Sequence, residues 1–364
     1  MEKLRFLLSL AVLNIILFSL AEIVVRVVAP QNLSGTWRIY DSDGLMINKP
    51  LHSARQQENG RVIEYSFGPF GIRGVEGISD AKKILVVGDS YTFGFLLPQD
   101  HTFVNQLQIM AHAVHGKGTV QFLNAGGGGW GADSYLRFIE SYGDLIKPDA
   151  ILVYLNINDI SSSIRNGFYQ LKNDHNFELA FRPLPVSTNM KIKNIMNAVP
   201  GYQWLLEHSH AFQWVRMSFL NRKKPEPAAH AFTMAASDAL QQENIPQVDA
   251  ARLGNAIFVR LKSWTDRRNL PLLVLTPGFF DPEVDTRGGD HSFFIQSRTF
   301  FQQVGVSYED LYPYVLGSHQ KEQAKLRIPG DGHPNADGAS LIGRASWPFV
   351  NTILLGHRAS TVPK

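Results

Sequence analysis

The chain is predicted to fold as a three-layer α/β/α sandwich around a central parallel sheet, preceded by an N-terminal transmembrane helix. Three observations carry this reading. Short runs of branched apolar residues, closed by glycine, proline or polar turns, recur along the chain as buried parallel strands do. Helix-length segments alternate with them, which is the order of a parallel α/β sheet. A long apolar stretch opens the chain.

The opening stretch comes first. Lys3 and Arg5 precede an uncharged run over residues 6–21, and apolar character continues to Val28 past Glu22 and Arg26. A helix over 6–28 spans about 35 Å, close to what a bilayer core requires. The basic flank places the N-terminus inside and the rest outside. An uncleaved anchor, with the domain in the periplasm of a bacterial inner membrane, is preferred to a signal peptide cut after Ala21 and a secreted domain. The reason is that the apolar pattern runs through the possible cut. Residues 1–30 are therefore assigned to the anchor.

Residues 31–80 read as an extension with few regular elements and turn signals such as Ser42-Asp43-Gly44 and Gly68-Pro69-Phe70-Gly71. An α/β domain over 81–357 follows. Its strands are predicted at 82–88, 119–124, 150–155 and 271–276, with a short strand near Val306. Helices are predicted at 102–114, 136–146, 249–268, 297–304 and 336–354. Residues 161–248 break the rhythm. They read as an insertion carrying Phe168, Tyr169, Trp204, Phe212 and Trp214, suited to a lid or a substrate wall.

Composition narrows the classes of function. The chain has 364 residues, 44% of them hydrophobic, enough for one large decorated domain. The absence of cysteine excludes disulfides, thiolate metal sites and a Cys nucleophile. A net charge of +3 without a basic stripe gives no footing for a nucleic-acid partner. The densest basic run, Asn221-Arg222-Lys223-Lys224, precedes Pro225 and Pro227 and reads as a solvated loop.

Four segments carry chemistry. Gly88-Asp89-Ser90 follows the first core strand, where a serine opening a helix has an exposed hydroxyl near free N–H groups. Taken alone, an N-cap serine explains it better. Asn124-Ala125-Gly126-Gly127-Gly128-Gly129 follows the second strand and offers backbone donors, without the order of a nucleotide-binding motif. Asn156-Ile157-Asn158-Asp159 follows the third, where an amide can serve as an oxyanion donor or a plain cap. Asp331-Gly332-His333 precedes the last helix. A carboxylate there can orient an imidazole, though an Asp-Gly turn with a surface histidine has the same composition. Jointly the four are stronger, because all would gather at one edge of one sheet.

This ordered set resembles the SGNH, or GDSL, hydrolase superfamily over roughly 82–160 and 270–355. The resemblance implies a flavodoxin-like α/β/α fold and assigns roles. Ser90 is the nucleophile within Gly-Asp-Ser, His333 the base and Asp331 its partner. Ser90, Gly129 and Asn158 form the oxyanion hole. Asn335, Ala336 and Gly338 after the histidine also resemble the family. Two departures stand out. Asn156 occupies a position that is usually glycine, and Asp331 lies two residues before the histidine instead of three, with Gly330 at the third. The shorter spacing resembles bacterial sugar O-acetyl esterases and transferases. The resemblance implies neither a metal nor an organic cofactor.

The expected function is a serine esterase acting on O-acyl, chiefly O-acetyl, esters. The substrate class is an acylated small molecule or a polysaccharide, with an extracytoplasmic glycan or lipid in view. A sugar O-acetyltransferase with the same residues is the alternative. A binding protein on the same scaffold is the second. Histidine pairs 112/115 and 208/210 lack the partners of a metal site. Asp133 and Asp159 could serve as an acid pair for sugar hydrolysis, but the sequence supplies no geometry for it.

Overall fold

The computed structural model describes residues 1–58, 60–172, 177–221, 247–279 and 291–356. The basic run from Arg222 to Lys224, Pro225, Pro227 and the end of the predicted insertion lie outside these residues.

The core is a five-stranded sheet built from β5 (Lys82–Val87), β6 (Val120–Asn124), β7 (Ala150–Tyr154), β10 (Leu272–Thr276) and β11 (Ser307–Asp310). All its pairings are parallel, in the order β11-β10-β7-β5-β6. Successive strand residues serve opposite faces. Leu85, Val87, Ile151, Val153, Leu272 and Val274 join one core cluster. Ile84, Val86, Leu152, Tyr154, Leu273 and Leu275 join the other. Both faces are covered, which is why these strands read as continuous apolar runs instead of alternating ones.

Helices α3 (Phe103–His115) and α11 (Ala336–Phe349) cover the second face, the former through Phe103, Val104, Leu107 and Ala111 at helical spacing. Helices α4 (Ala132–Ile146), α9 (Gln247–Asp266) and α10 (His291–Gln303) cover the first. The last helix was predicted to run on to 354. It stays α-helical to Phe349 and finishes in a π-turn at Val350–Leu354, just after Pro348, whose missing N–H interrupts the ladder.

The stretch 31–80 departs from the prediction. It forms two hairpins, β1 (Arg38–Tyr40) with β2 (Met46–Asn48), and β3 (His52–Glu58) with β4 (Arg61–Phe67). In β4 the buried residues Ile63, Tyr65 and Phe67 alternate with exposed ones. They pack with Trp37, Ala54 and Phe93 in a third cluster, while Leu45, Ile47 and Ile72 enter the main core. The polar run of β3 hides this pairing, because only Ala54 on that strand is buried.

Within 161–221 the described elements are α5 (Asp159–Asn166), the hairpin of β8 (Tyr169–Leu171) and β9 (Leu179–Phe181), then α6 (Thr188–Ala198), α7 (Tyr202–His208) and α8 (His210–Asn221). Phe168 and Tyr169 are core residues, and Arg260 of α9 donates to the Leu179 carbonyl at 3.1 Å. The hairpin is thus a brace on α9, and α6 docks on β1. The chain begins with α1 (Glu2–Val28), an apolar helix with no buried residue.

Candidate active site

Strands β5, β6 and β7 all end at the same edge of the sheet. The chain adds β6 on one side of β5 and β7 on the other, so a switch point opens beyond the ends of β5 and β7. Crevices at such points are where open α/β sheets hold ligands. Ser90 follows β5 and Asn158 follows β7, flanking this crevice. Ser90 opens the short helix α2 (Ser90–Phe93).

The turn before it is tight. A Cβ on Gly88 would stand 2.0 Å from Thr92 Oγ1, and one on Gly126 2.2 Å from Phe93 N. Only glycine allows these approaches. Asn124 then donates to the Thr92 carbonyl at 2.9 Å and accepts from Gly126 N at 3.0 Å, tying the loop after β6 to α2.

His333 comes to this serine from 243 residues away. Its Nε2 lies 2.7 Å from Ser90 Oγ, and its Nδ1 is hydrogen-bonded to Asp331 Oδ1. The same carboxylate oxygen accepts from the His333 backbone N–H at 2.8 Å. Burial raises the Asp331 carboxyl, but its hydrogen bonds to His333 and the charge there outweigh this, and it lies below its ordinary value. An ionised carboxylate only accepts, so Nδ1 carries the proton and Nε2 is left to accept from the serine hydroxyl.

The imidazole is 3% exposed and Ser90 8%, so bulk water has little access to this pair. Tyr91 and Phe95 hold the ring, each with its centroid 5.1 Å away. The loop carrying the histidine is clamped at Gly332, whose carbonyl accepts from Tyr91 Oη at 3.0 Å and Arg327 Nη1 at 2.8 Å. Asn335 caps α11, accepting from Gly338 N at 3.0 Å.

The structure places Ser90, His333 and Asp331 in one hydrogen-bonded chain. Gly129 and Asn158 are exposed at the ends of the neighbouring β6 and β7 loops. Among the described residues, the Ser90 and Gly129 N–H groups and the Asn158 side-chain amide have no hydrogen-bond acceptor. These are donors open to a ligand.

Other residues of the site escaped the sequence reading. Asn156 stands out only as a departure from a pattern. Its Nδ2 donates to Asp89 Oδ2 at 3.0 Å, and its backbone N–H donates to Asp159 Oδ2 at 2.5 Å. It therefore joins the β7 loop to the nucleophile turn, where Asp89 also accepts from Tyr91 N at 2.8 Å. Burial pushes the carboxyls of Asp89 and Asp133 up, the latter to about 7. Burial, reinforced by Asp89, holds Asp159 well above its ordinary value. Asp133 and Asp159 are thus enclosed beneath the site and do not face a substrate as an acid pair.

Arg73 had no sequence signal at all. It is 1% exposed, and its guanidinium donates to the carbonyls of Phe93, Gly94 and Leu97 while lying 4.6 Å from the Tyr65 and Phe93 ring centroids. Asn48 similarly donates to Gly126 O at 3.1 Å. Both residues come from the stretch read as a mere extension. His115 and His210, outside the site, have partners of their own: His115 lies 2.8 Å from Asn351 Oδ1, and His210 Nδ1 accepts from Gln31 N at 2.8 Å. Among the described residues no cluster of three potential metal-binding side chains exists.

No family model and no curated protein matches the chain. Solved structures similar to it include a member of the lipolytic G-D-S-L family from Veillonella parvula, at 14% identity. That alignment covers 73% of this chain and 96% of the other, with a TM-score of 0.40. The psychrotrophic esterase EstA of a Pseudoalteromonas species, inhibited by monoethylphosphonate, is 13% identical, covering 73% and 94% with a TM-score of 0.40. An acetyl xylan esterase is 12% identical, covering 74% and 99% with a TM-score of 0.42.

Proposed function

We propose that this chain is a serine esterase of the SGNH type that cleaves O-acyl esters, with O-acetyl groups on an extracytoplasmic glycan or lipid as the substrate class. The observation that carries the reading is the chain Ser90–His333–Asp331 at the switch point of a parallel sheet. In the reaction Ser90 Oγ attacks the ester carbonyl carbon while His333 Nε2 takes its proton. The imidazolium is held by the Asp331 carboxylate. The carbonyl oxygen gains negative charge and is held by the Ser90 and Gly129 N–H groups and the Asn158 amide. One such donor is worth about 3 kcal/mol in the transition state. His333 then gives its proton to the departing alcohol. A water molecule, deprotonated by the same nitrogen, releases the acid and restores Ser90.

The open donors and the proton-accepting nitrogen support this over a binding role, since binding alone needs no base on a serine. Lys3 and Arg5 in the first turns of the N-terminal helix support an orientation with the domain outside the membrane, by the positive-inside rule. In a bacterial cell this is the periplasmic face of the inner membrane.

The test is acetate release from p-nitrophenyl acetate by the full-length protein, beside Ser90→Ala and His333→Ala. Each substitution is expected to lower kcat/KM by about a thousandfold or more. A fluorophosphonate should label wild type and not Ser90→Ala. Equal rates in all three proteins would refute the assignment.

A further inference from the structure

Helices α6 and α8 are built inside out. A helix on a soluble domain turns its apolar stripe inward. In α6 the inward side is polar. Asn194 accepts from Tyr40 N at 2.9 Å and donates to Tyr40 O at 2.7 Å, doing for the edge of β1 what a neighbouring strand would do. One turn on, Asn197 donates to Arg38 O at 3.2 Å, and its carbonyl accepts from Lys49 Nζ at 2.6 Å. The outward side carries Ile192 and Ile195, one turn apart, with Ile195 63% exposed, and Val199 just past the helix end is exposed as well. In α8 the amide of Gln213 is buried, donating to Ser34 O at 3.1 Å and Leu206 O at 2.7 Å, whereas Trp214 and Val215 are exposed. Trp204 of α7 is 60% exposed beside them in sequence.

What covers this surface is indicated by its attachment to α1. The Glu22 carboxylate takes three hydrogen bonds at the start of α8, from Ser209 Oγ at 2.8 Å, His210 N at 3.0 Å and Ala211 N at 2.9 Å. Arg26 pairs with Glu22 at 3.0 Å and reaches the His208 carbonyl at 3.4 Å. The uncharged part of α1, residues 6–21, spans about 24 Å as a helix, so a bilayer that holds it puts Glu22 and Arg26 at its outer boundary. The first turn of α8 is fixed to that pair. Exposed tryptophan on α7 and α8, the helices joined to that pair, is the residue type that partitions at such a boundary.

We propose that α6, α7 and α8 form a platform that rests in the outer interface of the lipid bilayer beside α1, so that the domain is held against the membrane and not merely tethered to it. The occupant of the apolar surface is lipid. This goes beyond the esterase reading and does not depend on it, but it requires that α1 be retained.

The chain has no cysteine, so single sites can be labelled. Full-length Ile195→Cys and Trp214→Cys, with Leu145→Cys on the remote helix α4 as the water-exposed reference, would carry a nitroxide in phosphatidylethanolamine–phosphatidylglycerol nanodiscs. Collision rates with oxygen and with a nickel chelate report immersion. The expected result is a severalfold fall in nickel collisions and a rise in oxygen collisions at 195 and 214 relative to 145. Nickel access equal to that at 145 overturns the proposal. Protection at 195 and 214 seen in native membranes but not in nanodiscs also overturns it, in favour of a protein partner. Intact mass of protein from membranes checks α1; a chain cut near Ala21 overturns the platform while leaving the esterase assay unaffected.

Discussion

Asn156 occupies the place where two loops of the site meet. Removing its side chain leaves the buried Asp89 carboxyl without the Nδ2 donor and frees the β7 loop that carries Asn158. A lost hydrogen bond of this kind costs about 1–3 kcal/mol. Asn156→Gly is therefore expected to lower kcat about tenfold to a hundredfold with KM little changed, since the loss falls on positioning of the oxyanion donor. Asn156→Gln should recover part of the rate, which a purely structural defect would not allow. Asp331 offers a sharper test. Its single oxygen accepts from both the backbone and Nδ1 of His333, so Asp331→Asn would present a donor where the imidazole needs an acceptor. The tautomer would turn over, and kcat should fall by about two to four orders of magnitude while the fold persists. Steady-state kinetics beside circular dichroism would check both. At this scale the sequence exposes residues whose chemistry is itself a signal: a serine in Gly-Asp-Ser, and a histidine after Asp-Gly. Asn156 is visible only as an oddity, because its role exists in its contact with Asp89, 67 positions away.

The element most dependent on its surroundings is α2. Four residues long, it cannot hold itself. Arg73 holds its C-terminal end by donating to three carbonyls, and Asn124 takes the Thr92 carbonyl. Arg73→Met should leave the Phe93 and Leu97 carbonyls unpaired, while Gly94 O keeps the Leu97 N–H at 3.1 Å, destabilising the protein by about 3 kcal/mol or more. Chemical denaturation would show it as a lower midpoint. Arg73→Lys should restore little, since a lysine ammonium cannot span the same fork. The strands of the core were legible because burial on both faces writes itself into an unbroken apolar run. The hairpins of residues 38–67 were less so. The β4 alternation of Ile63, Tyr65 and Phe67 is present in the sequence, as is the Asn59-Gly60 dipeptide that favours tight hairpins. Its partner β3 is polar, however, and pairing between two strands is not a property of either alone.

At the scale of the molecule, three buried carboxyls make stability depend on pH. In the unfolded chain such groups lose their protons near pH 4. In the folded protein burial keeps Asp133 protonated up to about 7, and Asp89 and Asp159 are raised as well. Between those values the folded state holds protons that the unfolded state has released, so stability falls as pH rises. Asp331 acts in the opposite sense: its lowered value contributes stability that is present above pH 4 and lost only in more acidic solution. The unfolding temperature is therefore expected to decline from about pH 5 to pH 8, with a shallower slope in Asp133→Asn. Scanning calorimetry across that range decides it; a wild-type slope that Asp133→Asn leaves unchanged would remove Asp133 from the account.

Read by itself, the amino-acid sequence determined the layers, the positions of the core strands, the apolar first helix, and serine and histidine beside element boundaries. Each is written locally, as the period of burial or as a residue type at a turn. The tertiary structure alone decided the strand order that opens the crevice between β5 and β7. It also decided the use of Arg73 and Asn48 from the N-terminal hairpins and the outward apolar faces of α6 and α8. These depend on which surfaces meet after the chain has folded back on itself, and a contact across 243 residues leaves no periodicity along the chain that could announce it.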